Sequence, residues 1–391
     1  MAKKVGTEVS FAAAEAVRLC NVDVIAAYPI TPQTHIVEKL SEYVADGDLD
    51  AEYICVESEH SAMSACCGSS ATGARTFTAT AGQGLELMHE VLTIPASSRL
   101  PIVATICNRA LSGPLSVWGD HSDMMGVRDT GWIQMVAENG QDVHDLIVTA
   151  FKIAEHKDVM FPVMIHMDGF HLTHVIEPII LLDQEEVDKF LPPFSYDLKL
   201  DPDSPVSVGT YGPPHIYPEI KKAQQVALVN TMDTIKTIWK EFGDMFGRYY
   251  NPVETYRSED AETILITMGS FSETATLAVD ALREKGKKVG LVRLRLWRPF
   301  PFAELRDAVK SADNMVVLDR AISYGGPVGP LCSEIRSAFY MMKNRPAIVS
   351  YVSGLGGRDI SPEEFEEMIT RGEDIARNGS ENEYEMLGVR E

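Results

Sequence analysis

Glu57 and Glu59 stand two residues apart in "VESEH", where an apolar run ends and a run of small residues begins. A carboxylate there has two uses. It can cap a helix, whose dipole favours negative charge at its start. It can also sit on a rim of low dielectric, where its proton affinity is tuned by its surroundings. Arg109 follows the apolar run "IVATICN" and precedes "ALSGP". A guanidinium so placed can clamp a carboxylate through paired N–H donors, or close a structural ion pair. Thr31 lies between two prolines in "AAYPITPQT", a stiff turn with one hydroxyl at its tip. "WGDHSD" adds Asp120, His121 and Asp123. That loop reads as an acidic segment with a solvated histidine, or as an acid/base group. A metal site is a further, less favoured alternative, for which the spacing is not diagnostic.

An alternation of helix-like and strand-like runs places these residues. The spacing predicts a helix over 7–20, "TEVSFAAAEAVRLC", capped by Thr7. "VDVIAAYP" is a short buried strand closed by Pro29. "PQTHIVEKLSEYVADG" is a helix with Pro32 in its first turn and Gly47 past its end. "AEYICVES" is a strand, and "EHSAMSACCGSSATGA" a helix whose small residues demand close packing. Strands follow at "RTFTATAG", "LPIVATICN" and "FPVMIHMDGF", with helices at "GLELMHEVLTIPASS" and "DVHDLIVTAFKIAEH"; the last strand closes the series. This pattern implies a parallel sheet covered by helices on both faces. Ligands of such sheets lie beyond the C-terminal ends of the strands. "YPITP", "ESE" and "NRALSG" all fall there, on one rim. Their company brings the functional readings of Glu59 and Arg109 level with the structural ones.

From "LLDQEEVDKFLPPFSYDLKLDPDSPVSVGTYGPP" the texture turns rich in Pro and Asp. Its length implies a connector wrapped on a surface, of this chain or of a partner. A long helix over "HIYPEIKKAQQVALVNTMDTIKTIWKEFGDMFG" follows. A second α/β series begins near residue 261, with strands at "AETILITMGS", "KVGLVRLRLWRPFP", "NMVVLDRAI" and "AIVSYVSGLGG". The expected division is therefore 1–250, with the connector at about 175–250, and 251–391. "GPVGPLCSEI" and "GSFSETATLA" enter helices through glycine and could cradle phosphate. Neither is a dinucleotide fingerprint or a P-loop, and packing turns are the preferred reading. "RYY" (Arg248 to Tyr250) and "RLWRPFPF" read as core or interface elements.

The totals exclude several classes. The net charge of −22 over 391 residues disfavours a nucleic-acid binder. No apolar run is long enough for a transmembrane helix, and "MAKKVGTEVS" leads into no signal-peptide core, so a cytoplasmic protein is expected. None of the six cysteines forms a C-x-x-C pair, so this chain is expected to bind no metal or iron–sulfur cluster by itself. Reduced, buried thiols are expected, with the adjacent Cys66 and Cys67 as the one redox alternative.

Taken together, "YPITPQT", "ESEHSAMSACCGSSATGARTFTATAGQGLELM", "NRALSGPLSVWGDHSDMMGVRDTGW", "DGFHLTH" and "VRLRLWRPFP" resemble one family over nearly the whole chain. It is the alpha subunit of the thiamine-diphosphate-dependent 2-oxoacid:ferredoxin oxidoreductases, in the multi-subunit pyruvate type. The resemblance implies a pyrimidine-side thiamine diphosphate domain, then a domain like the C-terminal one of transketolases. It implies a beta subunit carrying the diphosphate and Mg2+ side. It implies gamma and ferredoxin-like delta subunits as well, [4Fe-4S] clusters in the partner subunits, and an external ferredoxin. The reaction implied is oxidative decarboxylation of a 2-oxo acid with coenzyme A, with pyruvate first and an aryl or branched-chain acid second. By position, Glu59 matches the glutamate that hydrogen-bonds the aminopyrimidine. Thr31 and Arg109 match the residues that hold the substrate carboxylate, and the backbone of Pro29 and Ile30 borders the cofactor ring. A branch acting on oxalate has arginine where this chain has Thr31, which counts against a dicarboxylate. "SGP" after Arg109, with Trp118 beyond it, is expected to shape the pocket for the substrate's side group. The rival readings are a non-catalytic scaffold subunit, against which the intact Thr31, Glu59 and Arg109 argue, and an NAD-linked enzyme, which lacks its fingerprint here.

Overall fold

The computed structural model describes residues 3–380 and 382–390. Met1 and Ala2, the start of the segment read for a signal peptide, lie outside the described residues. So do Glu381 and Glu391, within the expected second domain.

The chain opens with β1 (Lys3–Glu8) and α1 (Val9–Leu19). Then follow β2 (Val24–Ala27), α2 (Thr34–Asp46), β3 (Glu52–Cys55), α3 (Glu59–Ala71), β4 (Thr76–Thr80), α4 (Gly82–Ser98) and β5 (Val103–Asn108). One further turn, α5 (Ser122–Gly126), and β6 (Ile133–Val136) precede α6 (Gly140–Glu155) and β7 (Val163–Asp168). The strands pair in parallel in the order β6-β7-β5-β4-β2-β3. β4, β5 and β7 are buried at every position, as central strands of a doubly covered sheet must be. One face packs on α1 and α6, where Ala12, Ala13 and Ala16 let the helices approach closely. The other packs on α3 and α4 through Ala62, Met63, Leu85 and Met88.

Two local expectations fail. Thr7 caps nothing: it sits in β1, paired with Glu177 of β8 (Ile176–Leu181), and α1 starts at Val9 without a side-chain cap. "KKVGTE" carries no local alternation that marks a strand, and its partner strand 170 residues away was not visible locally. For the same reason β7 does not close the series, because β8 returns to form a ribbon with β1. β6, only four residues long, was also missed.

After β8 come α7 (Gln184–Phe190) and α8 (Tyr217–Phe246). The irregular stretch between them lies on this chain, where Leu200 N–H donates to the Ala71 carbonyl at 2.7 Å. The second half contains β9 (Val253–Tyr256), β10 (Thr263–Thr267), α9 (Phe271–Glu284), β11 (Val289–Leu294), β12 (Leu296–Arg298), α10 (Phe302–Ala308), β13 (Asn314–Asp319), α11 (Pro330–Phe339), β14 (Ala347–Val352), α12 (Pro362–Asn378) and β15 (Glu385–Met386). Its sheet runs β15-β14-β13-β10-β11-β9, parallel except for β9. Sequence and sheet do not divide at the same place. β12 leaves the second half and pairs antiparallel with β6, adding a seventh strand to the first sheet. The "RLWRPFPF" segment is thus core and junction: Trp297 is fully buried and Arg298 lies over its ring. Among the described residues no helix is long and apolar enough to cross a membrane.

Candidate active site

Because β2, β3, β4, β5 and β7 run parallel, their C-terminal ends form one rim. Four of the sequence-predicted features meet there. The Pro29–Pro32 turn leaves β2 and is held by Gln33, a buried side chain. Its amide donates to the Ala79 carbonyl at 2.7 Å and to the Tyr28 carbonyl at 3.4 Å. This pins the turn to β4 and leaves Pro29 and Thr31 exposed, with Ile30 partly so.

Arg109 leaves β5 and reaches that turn. Its Nη1 donates to the Thr31 carbonyl oxygen at 3.0 Å, and its Nη2 to Gln83 Oε1 at 3.1 Å. The contact is to the main chain of Thr31, so the hydroxyl is left over. Arg109 is only 7% exposed, and its buried Nε finds no acceptor. Two of the five guanidinium N–H groups are committed, which leaves donors for an incoming anion. Gly82, at φ +50°, packs a bare Cα against this side chain, where a Cβ would meet Arg109 atoms at 3.1–3.2 Å.

The two glutamates separate. Glu57 stays exposed and accepts the Ser61 hydroxyl, while Ser58 caps α3 by accepting Ser61 N–H at 3.3 Å. The capping work is thus done without Glu59. Glu59 is the first residue of α3 and 5% exposed. Among the described residues its carboxylate has no hydrogen-bond or ion-pair partner. It lies over Gly84 of α4, where a Cβ would come within 2.4 Å of Oε1.

Asp123 locks this arrangement from beneath. Its carboxylate accepts Gly82 N–H at 3.0 Å, Arg109 N–H at 2.9 Å and the Asn108 amide at 2.8 Å. Burial pushes its pKa up to about 7 despite these donors. The "WGDHSD" loop is therefore not solvated, which corrects the sequence expectation. Its three titratable groups are buried and turned to different partners. Asp120 accepts Ser122 N–H at 2.9 Å and Gly356 N–H at 3.0 Å, and His121 donates to Asp168 at 3.1 Å.

Asp168 ends β7 and joins the two halves. It takes Ser270 N–H at 2.8 Å, the Ser270 hydroxyl at 2.7 Å and an ion pair with Arg320. Burial would raise its pKa, but Arg320 and His121 outweigh burial and hold it well below the usual carboxylate range. The glycine turn before α9 is thereby filled by a carboxylate. The turn before α11 is filled likewise, by Asp319, which accepts Leu331 N–H at 2.7 Å and Cys332 N–H at 3.0 Å. Both are packing turns, as the sequence reading preferred. Burial also raises the thiol of Cys66, and pushes that of Cys67 up to about 12, which leaves both as inert thiols. A cleft of about 540 Å³ opens beside the Arg109 loop, lined by Ser112, Gly113, Ser122 and Tyr324. Trp118 is not part of it and packs against Phe170, with ring centres 4.5 Å apart and planes tilted by 42°. Sequence reasoning missed Gln33, Gln83 and the locking role of Asp123. Gln83, set between two glycines past a strand, carried the one visible hint.

Comparison with known proteins identifies the family. The family described as pyruvate flavodoxin/ferredoxin oxidoreductase, thiamine diphosphate-binding, matches residues 15–240, and the pyruvate:ferredoxin oxidoreductase core domain II matches 261–365. The pyruvate synthase subunit PorA of Methanocaldococcus jannaschii is 49% identical over 364 residues, covering 92% of each chain. That of Thermotoga maritima is 47% identical over 387 residues, 97% of this chain and 96% of its own. A ketoisovalerate oxidoreductase subunit VorA from Pyrococcus horikoshii is 47% identical over 355 residues, 90% and 89% respectively. In fold, the chain resembles a 2-oxoglutarate:ferredoxin oxidoreductase from Magnetococcus marinus, with a TM-score of 0.73, 20% identity, and coverage of 94% of this chain and 65% of that one. It also resembles a split-gene transketolase, with a TM-score of 0.58, 12% identity, and coverage of 95% and 100%. A profile match over more than half the chain and relatives near half identical over nearly all of it leave one assignment: the chain belongs to the pyruvate flavodoxin/ferredoxin oxidoreductase family, as an alpha-type, thiamine-diphosphate-binding member.

Proposed function

We propose that this chain is the alpha subunit of a cytoplasmic complex that decarboxylates pyruvate oxidatively, passes the acyl group to coenzyme A and reduces ferredoxin. The observation that carries this reading is the rim itself. A buried carboxylate without an internal partner, Glu59, shares it with an arginine fork that keeps free donors. Thiamine diphosphate, when bound, supplies the electron sink that decarboxylation needs. The residues present fit its pyrimidine end. Glu59 would hold a proton between its carboxylate and a ring nitrogen, and Gly84 leaves the room for it. Pro29 and Ile30 would border the ring with backbone. The Thr31 hydroxyl and the free N–H groups of Arg109 would hold the substrate carboxylate.

The diphosphate end is expected elsewhere. Both glycine turns that could cradle phosphate hold internal carboxylates, Asp168 and Asp319. That supports a beta subunit bringing the diphosphate and Mg2+ side. Gamma and ferredoxin-like delta subunits would complete the complex, with the [4Fe-4S] clusters in the partner subunits. The division into 1–250 and 251–391 remains part of this proposal, with β12 crossing it. The PorA relatives favour pyruvate, while the VorA relative makes a branched-chain 2-oxo acid the second reading.

The test is 2-oxo-acid-dependent dye reduction by the anaerobically purified complex with coenzyme A. Pyruvate should be the fastest substrate of a panel, and the Glu59→Ala complex should be inactive. A branched-chain acid that outruns pyruvate would reassign the substrate. Full turnover in the variant would overturn the mechanism.

A further inference from the structure

Thr80 ends β4 with its side chain fully buried, and among the described residues its hydroxyl has no hydrogen-bond partner. The other two threonines of the strand are committed. Thr76 donates to the Ala74 carbonyl at 3.1 Å and Thr78 to the Ala26 carbonyl at 2.8 Å. A buried hydroxyl left unpaired is costly, so its partner is to be sought among groups or waters that complete the site. The Glu59 carboxylate faces it. A Cβ on Gly84 would meet Thr80 Oγ1 at 2.5 Å and Glu59 Oε1 at 2.4 Å. The two oxygens therefore share the space above one glycine and lie within about 5 Å of each other, the span of one bridging water.

We infer that Thr80 is a positioning residue for Glu59: its hydroxyl donates to the Glu59 carboxylate through one bridging water. The donor fixes one carboxylate oxygen and turns the other toward the cofactor ring. That donor also draws charge away from the oxygen facing the ring, which disfavours protonation of the ring nitrogen. Thr80 thus sets the direction of the Glu59 carboxylate and the charge it presents to the ring, without itself touching substrate. The inference rests on the reading of Glu59 as the cofactor's partner.

The test uses the assembled complex with Thr80→Val, which keeps shape and removes the hydroxyl, and Thr80→Ser, which keeps the hydroxyl. One readout is the pH midpoint of the circular-dichroism band that reports protonation of the bound cofactor's aminopyrimidine. The other is thiamine diphosphate affinity by calorimetry. Valine should raise the midpoint by about one unit and weaken binding about 3- to 10-fold. Serine should restore both. Unchanged values in the valine variant would overturn the inference, as would a serine variant that behaves like valine. A Glu59→Gln control separates the premise: a band that titrates there as in the unaltered complex would remove Glu59 as the partner, whatever Thr80 does.

Discussion

The Arg109 guanidinium donates through Nη1 to the main-chain carbonyl oxygen of Thr31 at 3.0 Å, so the residue after β5 holds the turn after β2. Its Nη2 is held at the same time by Gln83 from α4. The fork thus ties three strand ends together before any substrate arrives. Arg109→Lys keeps the charge but cannot make both contacts. We expect the KM for the 2-oxo acid to rise about 10- to 100-fold, in line with loss of charge-assisted hydrogen bonds. Steady-state kinetics checks it. A KM within twofold of the unaltered complex would show that one point charge suffices.

Glu57 and Glu59 should behave differently despite their closeness. Glu57 is exposed and bonded to Ser61, whereas Glu59 is buried and, among the described residues, without a partner. Glu59→Gln should lower kcat about 10²- to 10⁴-fold, the usual scale for a lost proton-transfer group. Glu57→Gln should stay within about twofold, since surface changes of this kind move little. Size-exclusion chromatography of both complexes confirms assembly. Equal losses in the two variants would contradict the separation.

Asp168 and Arg320 form a buried ion pair between the two halves. Arg320→Met removes the paired cation from Asp168 and leaves it only the His121 and Ser270 donors, and breaking a buried pair in this way typically costs about 3–5 kcal/mol. A double variant with Asp168→Asn should recover part of that loss, because the buried charge is gone. Chemical denaturation of the four proteins reads the coupling. Strictly additive losses would mean that the pair is not coupled.

His166 is a neutral base in the core. Burial drives its pKa down to about 3, with the nearby His121 adding to the effect. Its Nδ1 accepts from the Asn108 amide at 3.2 Å. In the unfolded chain the same ring titrates near pH 6.5. Above that pH its contribution to stability is complete. As the pH falls from 6.5 toward 3 the unfolded chain takes a proton that the folded one refuses, and stability is lost by up to about 1.4 kcal/mol per pH unit. His166→Gln should therefore show a shallower loss of stability between pH 6 and 4. Denaturation curves across that window test the slope, and an unchanged slope would assign the acid sensitivity to other groups.

Much of this molecule was legible in the amino-acid sequence because its determinants are local. Strand runs such as "IVATICN" and the helix signals around α2 and α4 depend on residues a few positions apart, and alternation along the chain implies a parallel sheet with a functional rim. Thr31, Glu59 and Arg109 could be named because each sits where a strand ends. Resemblance added their roles. What the sequence could not decide are relationships set by distant pairings. β1 needed β8, and β12 needed β6 from the other half of the chain. Glu57 and Glu59 look alike in a string of letters, and only packing against Gly84 buries one and leaves the other in water. The acidic loop likewise read as solvated, until the fold turned Asp123 beneath Arg109 and His121 onto Asp168. Spacing along the chain determines which groups can reach a rim. Burial and the direction of each hydrogen bond, which set charge and reactivity, are properties of the closed tertiary structure alone.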